Sequence, residues 1–453
     1  MKNFETKKGS ALIIGGSMAG LLAARVLSDF YNDVTIVERD PLDTEDHRRG
    51  VPQSRHAHGL LAGGLQVIEE FFPGITKEMI GRGAVPADVA NDGRWFFEGG
   101  CLSRGPSGNM GILLSRPLLE NSVRSRVRKL ENVRFFTDCS VRHLTSLGST
   151  VTGVRTEEDI IKADLVIDAS GRGSKTPTWL ESLKFPVPRE EKVEINIAYT
   201  TRFFRRKEGD LGGDTFGACP AEIHNTNSGV ILAQEGDRWI VTLIGRFGIQ
   251  PPQDPQGFME FAKTLEAPFI YDVVRYAEPI GEATSMRFPA SLRRRYEELR
   301  RHPKGLLVFG DAICSFNPVY GQGMSVAALQ AKALQRQLLR GSEDLAARFY
   351  SNASKVLDAP WNIAVGADLK MPETVGKRTL AGKFIGWYIS KLHQFAHHNT
   401  NAAQAFLRVT QLLDEPSVLL RPGLALPVLA AHFGRSLGIR GAEINAGSEA
   451  EPV

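Results

Sequence analysis

The chain reads as an α/β protein: a Rossmann-like nucleotide-binding domain, a β-sheet domain placed to roof it, and a C-terminal helical region. Three observations predict this class. Near the N-terminus an apolar strand runs through a glycine-rich turn into an amphipathic helix, "ALIIGGSMAGLLAARVL". A second strand-loop-helix unit, "GLLVFGDAICSFNPVYGQGMSVAALQ", begins at Gly305. Between about Phe185 and Met286 the periodicity changes to strands, and from about Ser342 it becomes helical.

The totals bound what the chain can be. A length of 453 residues with 42% hydrophobic composition suits two or three buried cores. The 55 Lys and Arg against 51 Asp and Glu are interspersed, so the formal charge of +4 predicts no nucleic-acid partner. Cys101, Cys139, Cys219 and Cys314 form no CxxC pair, which argues against a disulfide framework or zinc ribbon and fits a reducing cytoplasm. The charged start "MKNFETKK" carries no signal-peptide pattern. No apolar run reaches the roughly 20 residues of a spanning helix. The stretch Val418 to Phe433 is broken by Arg421, Pro422 and Pro427, and at most touches a membrane surface.

The N-terminal unit carries a nucleotide fingerprint. A dinucleotide turn asks for glycine at its first, third and sixth positions, for the tight turn, the approach of the pyrophosphate and helix packing. Gly15 and Gly20 fill the first and last, Ser17 takes the middle, and Gly16, Met18 and Ala19 complete "GGSMAG". The next strand, "DVTIVERD", ends in Glu38, 23 residues beyond Gly15, where a carboxylate accepts hydrogen bonds from a ribose diol, with Arg39 beside the adenine. This unit leaves NAD and FAD equally open, because both present an ADP half.

Later segments add to it. In "ILLSRPLLENSVRSRVRKL", Arg116 stands at a strand-helix junction within reach of a pyrophosphate. "KADLVIDASGRGS" reads as an apolar strand and tight loop, in which Arg172 is structural. In the Gly305 unit, Asp311 ends a strand where a polyol hydroxyl would bind. Pro318, Gly321 and Gly323 then lead into a helix at Met324, whose N-terminus suits negative charge.

With these motifs in order, the chain resembles the FAD-dependent aromatic hydroxylase and epoxidase superfamily, the flavoprotein monooxygenases with a single nucleotide fold, over roughly residues 10 to 340. Within it, "ERDPL", "HRRGVPQSRHAHGLL", "RPLLE" and "DAPWNIA" look most like the flavin epoxidases of polyether antibiotic biosynthesis. The resemblance implies a Rossmann-like FAD-binding domain with a β-sheet substrate domain. FAD would lie along Gly15, Gly16, Ser17, Met18, Ala19 and Gly20, with Glu38 on the ribose, Arg39 and Val141 by the adenine, and Arg116 at the pyrophosphate. Asp311 would meet the ribitol chain or pyrophosphate, Pro318, Gly321, Gly323 and Met324 the isoalloxazine. Arg55 and His56 would form part of the same cradle, and His58 is a candidate for a chemical role. The implied domains are 9–74, 102–184 and 285–341 for FAD, 75–101 and 185–284 for substrate, and 342–440 helical, with 441–453 a disordered tail.

The implied reaction is oxygen insertion from O2, through a flavin C4a-hydroperoxide, into an apolar alkene-containing natural-product intermediate, giving an epoxide or a hydroxylated ring. Electrons would come from NAD(P)H or from a separate flavin reductase as partner. The "DASG" segment only partly matches the superfamily's Asp-Gly motif, so it does not secure nicotinamide docking. A prenyl or polyketide reductase or dehydrogenase and a flavin-dependent halogenase are the rival readings within redox enzymes. The halogenases' Trp-x-Trp-x-Ile-Pro segment is missing. A flavin-binding sensor without a substrate is the rival from another class, and the long strand-rich middle argues against it.

Phe203, Trp239, Phe247 and Tyr320 are the candidate walls of an apolar substrate pocket. "RRK" (Arg205 to Lys207) and "RRR" (Arg293 to Arg295) read as solvated faces or inter-domain contacts. His393 and His397 have metal-compatible i, i+4 spacing, but no carboxylate or cysteine completes a site, so no metal is expected.

Overall fold

A computed structural model describes residue 7 and residues 9–43, 47–48 and 50–436. The tail expected at 441–453 lies outside them. The first sheet is parallel, its five strands ordered Leu306–Val308, Leu165–Asp168, Ser10–Ile14, Asp33–Val37 and Val133–Phe136. Ser10–Ile14 is central, in register from Ser10 opposite Asp33 to Ile14 opposite Val37. Leu12 and Ile13 are fully buried there, as a strand covered on both faces requires. The helices Met18–Leu27 and Gly323–Leu338 pack together against this sheet.

The second sheet has eight strands, dominated by the long Glu190–Arg205 and Pro279–Arg294, which pair antiparallel. Ser228–Gln234 and Arg238–Arg246 form the expected hairpin, and Gly236 and Asp237 take positive φ of 75° and 46° at its turn. The domain boundary expected at 284/285 falls inside Pro279–Arg294, which stays in this sheet to its end. Of the insert at 75–101, Gly93–Phe97 joins the large sheet, whereas Val85–Asp88 pairs with Met110–Leu113 in a small one beside Gly59–Leu60.

The C-terminal part is helical, comprising Leu345–Asp368, Leu380–Ala396, Thr400–Thr410 and Pro422–Ser436. The last three helices build their own core around Tyr388, Leu392, Phe406 and Leu407. Among the described residues no helix is long and apolar enough to cross a membrane. The "RRR" run is no solvated face. Arg293 is 1% exposed and ion-paired to Asp358 at 2.7 Å, and Arg294 is buried with Glu190 at 2.9 Å, so the run ties the large sheet to its neighbours.

Candidate cofactor and substrate cavity

The C-terminal ends of the parallel strands open onto one cavity of about 2570 Å³, bordered by Gly15, Glu38 and Asp311 at that edge. A typical small-molecule site occupies roughly 300–1,000 Å³, so this space is large enough for a cofactor and a second molecule. The strand ends of an open parallel sheet are where a nucleotide is expected to bind.

The glycine turn is shaped for close approach. Gly15 has φ +103°, and a Cβ there would stand 2.7 Å from the Ala169 carbonyl oxygen; a Cβ on Gly20 would strike the Gly15 carbonyl at 1.8 Å. Gly20 thus serves packing and lies off the cavity lining, as does Gly16, whose amide donates to Glu38 Oε2 at 2.7 Å. Glu38 also accepts from the Asp40 amide at 3.0 Å, which fixes the carboxylate at the cavity wall.

The hydroxyl of Ser17 is turned away from its own helix. It donates to Glu120 Oε2 at 2.8 Å and accepts from Arg116 Nη2 at 2.9 Å, and it makes no side-chain cap, so the first-turn amides stay open to an anion. Glu120, 4% exposed, is the hub of this end: Arg116, Arg124 and Arg48 all pair with it and hold its carboxyl below the usual range against the opposing pull of burial. Arg48 also stands 3.4 Å from Glu38 and 3.6 Å from Asp40. Sequence reading missed Arg48 and Glu120, although "RPLLE" already held the Arg116 and Glu120 i, i+4 pair.

The second glycine loop closes the other side. Gly310 has φ +66°, and a Cβ on it would come 2.7 Å from the Ala19 Cβ, so the two glycine loops touch only because this position is bare. Asp311 borders the cavity, and burial raises its pKa above the carboxylate norm against Arg116 and Arg172. Gly321 (φ +63°) and Gly323 carry the chain into the helix Gly323–Leu338, and Pro318, Tyr320, Gly321, Gly323 and Met324 all line the cavity. Val141 and Arg39 line it at the Glu38 end.

The "RHAH" segment divides. Arg55, expected in the cradle, is exposed on the turn Pro52–Arg55 and outside the lining, whereas Arg48 and Arg116 line the cavity. His56 and His58 do line the cavity. The His56 Nδ1 meets the Thr201 hydroxyl at 2.8 Å, and its ring lies 5.7 Å from that of Tyr199. His58 Nδ1 donates to the His56 carbonyl at 2.8 Å, which leaves Nε2 an acceptor. Burial pushes His56 down to about 4 and, with Arg116, His58 down to about 3, so both are neutral near pH 7.

Of the four candidate pocket walls only Tyr320 borders the cavity. Trp239 is wholly buried in the core behind the sheet, its ring N–H on Asp210 at 3.0 Å; Phe203 lies under Arg238, and Phe247 sits at a left-handed position with φ +54°. The apolar end is built by Trp95, Phe97, Trp387 and Phe406, which cluster with the C-terminal helices, while Trp361 lines the cavity beside Phe316. Tyr320 in turn donates to Asp368 Oδ1 at 2.9 Å, where Asn317 Nδ2 (2.9 Å) and Arg246 Nη1 (3.2 Å) also converge. Asp368 is fully buried, and burial raises its pKa.

No protein-family model matches the chain. It is 34% identical over 468 residues to protein Rv3254 of Mycobacterium tuberculosis (strain ATCC 25618 / H37Rv), spanning 95% of this chain and 94% of that protein. Among solved structures it superposes on the flavin-dependent brominase Bmp2 with a TM-score of 0.65 at 14% identity, over 94% of this chain and 99% of the other. PqsL of Pseudomonas aeruginosa, a probable FAD-dependent monooxygenase, gives a TM-score of 0.61 at 16% identity, over 80% and 96%. Identities this low establish the shared fold.

Proposed function

Since the chain belongs to the family of protein Rv3254 and has the fold of the FAD-dependent monooxygenase superfamily, we propose that it is an FAD-dependent monooxygenase acting on an apolar alkene or electron-rich ring, an epoxidase first and a hydroxylase second. The observation that supports this most is the continuity of one cavity from Glu38, through Asp311, Gly321 and Gly323, to the aromatic end at Trp95, Phe97 and Phe406. A cofactor in the first part and an apolar substrate in the second would share one space. The likeness to a brominase is one of fold.

The residues present fit FAD. Glu38 would hold the adenosine ribose, and the open amides after Ser17, with Arg116 and Arg48, would face the pyrophosphate. Asp311 would take a ribitol hydroxyl, and the start of Gly323–Leu338 would place a partial positive charge by the ring. Bound FAD would supply the two-electron activation of O2, by which one oxygen atom would go to the substrate and the other would leave as water, with two electrons and one proton from NAD(P)H, directly or through a partner reductase, and the second proton from solvent. The chain's own part is to exclude water from the substrate. Neutral His56 and His58 add no cation to the wall, and the aromatic end desolvates whatever enters.

The test is direct. Purified protein loaded with FAD is reduced anaerobically, oxygen is admitted with a polyene, and absorbance and product mass are followed. A product heavier by one oxygen supports the reading, while a gain of two hydrogens supports a reductase. Straight reoxidation to hydrogen peroxide with every alkene tried would count heavily against it.

A further inference from the structure

The apolar stretch Val418 to Phe433 has no part in the cofactor site, and the fold sets it beside the mouth of the cavity. The helix Pro422–Ser436 has no charged residue between Arg421 and Arg435. It packs on the helix Leu380–Ala396, where the rings of Trp387 and His432 meet at 5.5 Å. A surface helix ordinarily turns its apolar stripe inward. Here both helices also present apolar side chains outward: Leu380 is 85% exposed, and Phe384, Leu426 and Phe433 are each more than half exposed. Phe384, Trp387, His432 and Phe433 make a row of rings spaced 5.6, 5.5 and 5.2 Å, so the two helices share one outer face.

That face borders an opening. Ile385, Leu420 and Ile223 line the cavity and are exposed as well, which puts them at its rim. Lys377, Arg378 and Lys383 also line it and are exposed. From Thr374 to Leu413 the sequence holds no Asp or Glu. On the adjoining loops, Glu98 is held by Lys370 at 3.4 Å, and the partly buried Glu222 accepts from the Glu98 amide at 2.9 Å. The rim is therefore apolar with a cationic fringe. An exposed apolar patch of this kind marks an interaction surface. A protein seated on it would close the cavity, whereas a bilayer would leave the opening against a fluid apolar phase, and the fringe matches anionic headgroups.

We propose that the face carrying Leu380, Phe384, Leu420 and Phe433, with Lys377, Arg378 and Lys383 at its edge, docks on the surface of an anionic phospholipid bilayer, so that the cavity mouth opens onto lipid. The docking stands on this face alone. That the mouth admits an apolar substrate from the lipid rests on the monooxygenase reading.

Flotation of the FAD-loaded full chain with lipid vesicles tests the docking without turnover. We expect partition onto phosphatidylcholine vesicles holding about 30% phosphatidylglycerol to exceed that onto pure phosphatidylcholine by at least about tenfold, and to fall as salt is raised. Leu380→Ser with Phe384→Ser should lower it by about tenfold or more, and Lys377→Glu with Lys383→Glu should do the same. Both double variants should melt close to the parent, because the side chains they change are exposed. No binding by the parent, equal partition onto the two kinds of vesicle, or unchanged partition in Leu380→Ser with Phe384→Ser would overturn the proposal. A parent that sediments as a dimer, and as a monomer in that same variant, would overturn it too by giving the face to a second copy. So would binding that begins only once residues 437–453 are removed, which would give the face to the chain's own end. A protein that docks in this pattern yet never transfers oxygen keeps the surface and loses the reaction.

Discussion

Ser17 and Glu120, 103 residues apart, are joined by a 2.8 Å hydrogen bond that fixes the glycine turn to the helix Arg116–Arg128. Fingerprint logic predicts that Ser17→Gly restores the ideal turn and tightens the cofactor. The structure predicts the reverse, because Glu120 loses a donor and Arg116 an acceptor. A hydrogen bond to a charged group contributes about 1.5–3 kcal/mol, so Ser17→Gly should weaken FAD binding by about tenfold, read by fluorescence titration of the apoprotein. Tighter binding would disprove it.

Arg48 and Arg55 should behave oppositely. Arg55→Ala removes an exposed side chain outside the cavity and should leave FAD affinity within about twofold, in line with near-neutral surface changes. Arg48→Met leaves Glu38, Asp40 and Glu120 facing one another without their shared cation. Removing one member of a buried ion pair costs about 3–5 kcal/mol, so the expectation is a large fall in urea midpoint together with weak FAD retention. A normal midpoint in Arg48→Met would show that the other arginines suffice.

What was legible in the sequence was what neighbouring residues decide. The strand Ser10–Ile14, its turn and its helix follow from local periodicity and one obligatory glycine, and Glu38 follows because a strand of fixed length carries it to the same edge. Arg48 joins the cavity wall only because three carboxylates from two distant segments meet it, and no local pattern records that. Trp239 shows the opposite error. Nearly every residue of Arg238–Arg246 is buried, so the alternation that tells cavity face from core face is absent. Asp368 lay in a stretch legible only as helix, while its partners Asn317, Tyr320 and Arg246 come from the glycine loop and the large sheet.

That junction gives the next expectation. Asp368→Ala would strand Arg246, which is 4% exposed, and free Tyr320 beside Gly321. A loss of about 3–5 kcal/mol in chemical unfolding is expected. Asp368→Asn keeps an acceptor for Tyr320 and Asn317 and should lose less than half of that. Equal losses in the two variants would show that the carboxylate charge, not the hydrogen-bond geometry, holds the loop.

The cavity histidines set a pH dependence. His56 titrates at about 4 in the fold against 6.5 in an unfolded chain, so between these values the unfolded state binds more protons. Its contribution is therefore complete above pH 6.5 and is lost as pH falls toward 4. Linkage gives a loss of about 1.3 kcal/mol from this residue between pH 7.5 and 5.5. In His56→Gln the drop in unfolding free energy over that interval should shrink by about the same amount, while carboxylates that titrate in both proteins cancel. An unchanged slope would mean that His56 titrates in the folded protein as it does in the unfolded chain, so that the wall beside Tyr199 gains charge as pH falls below about 6.5.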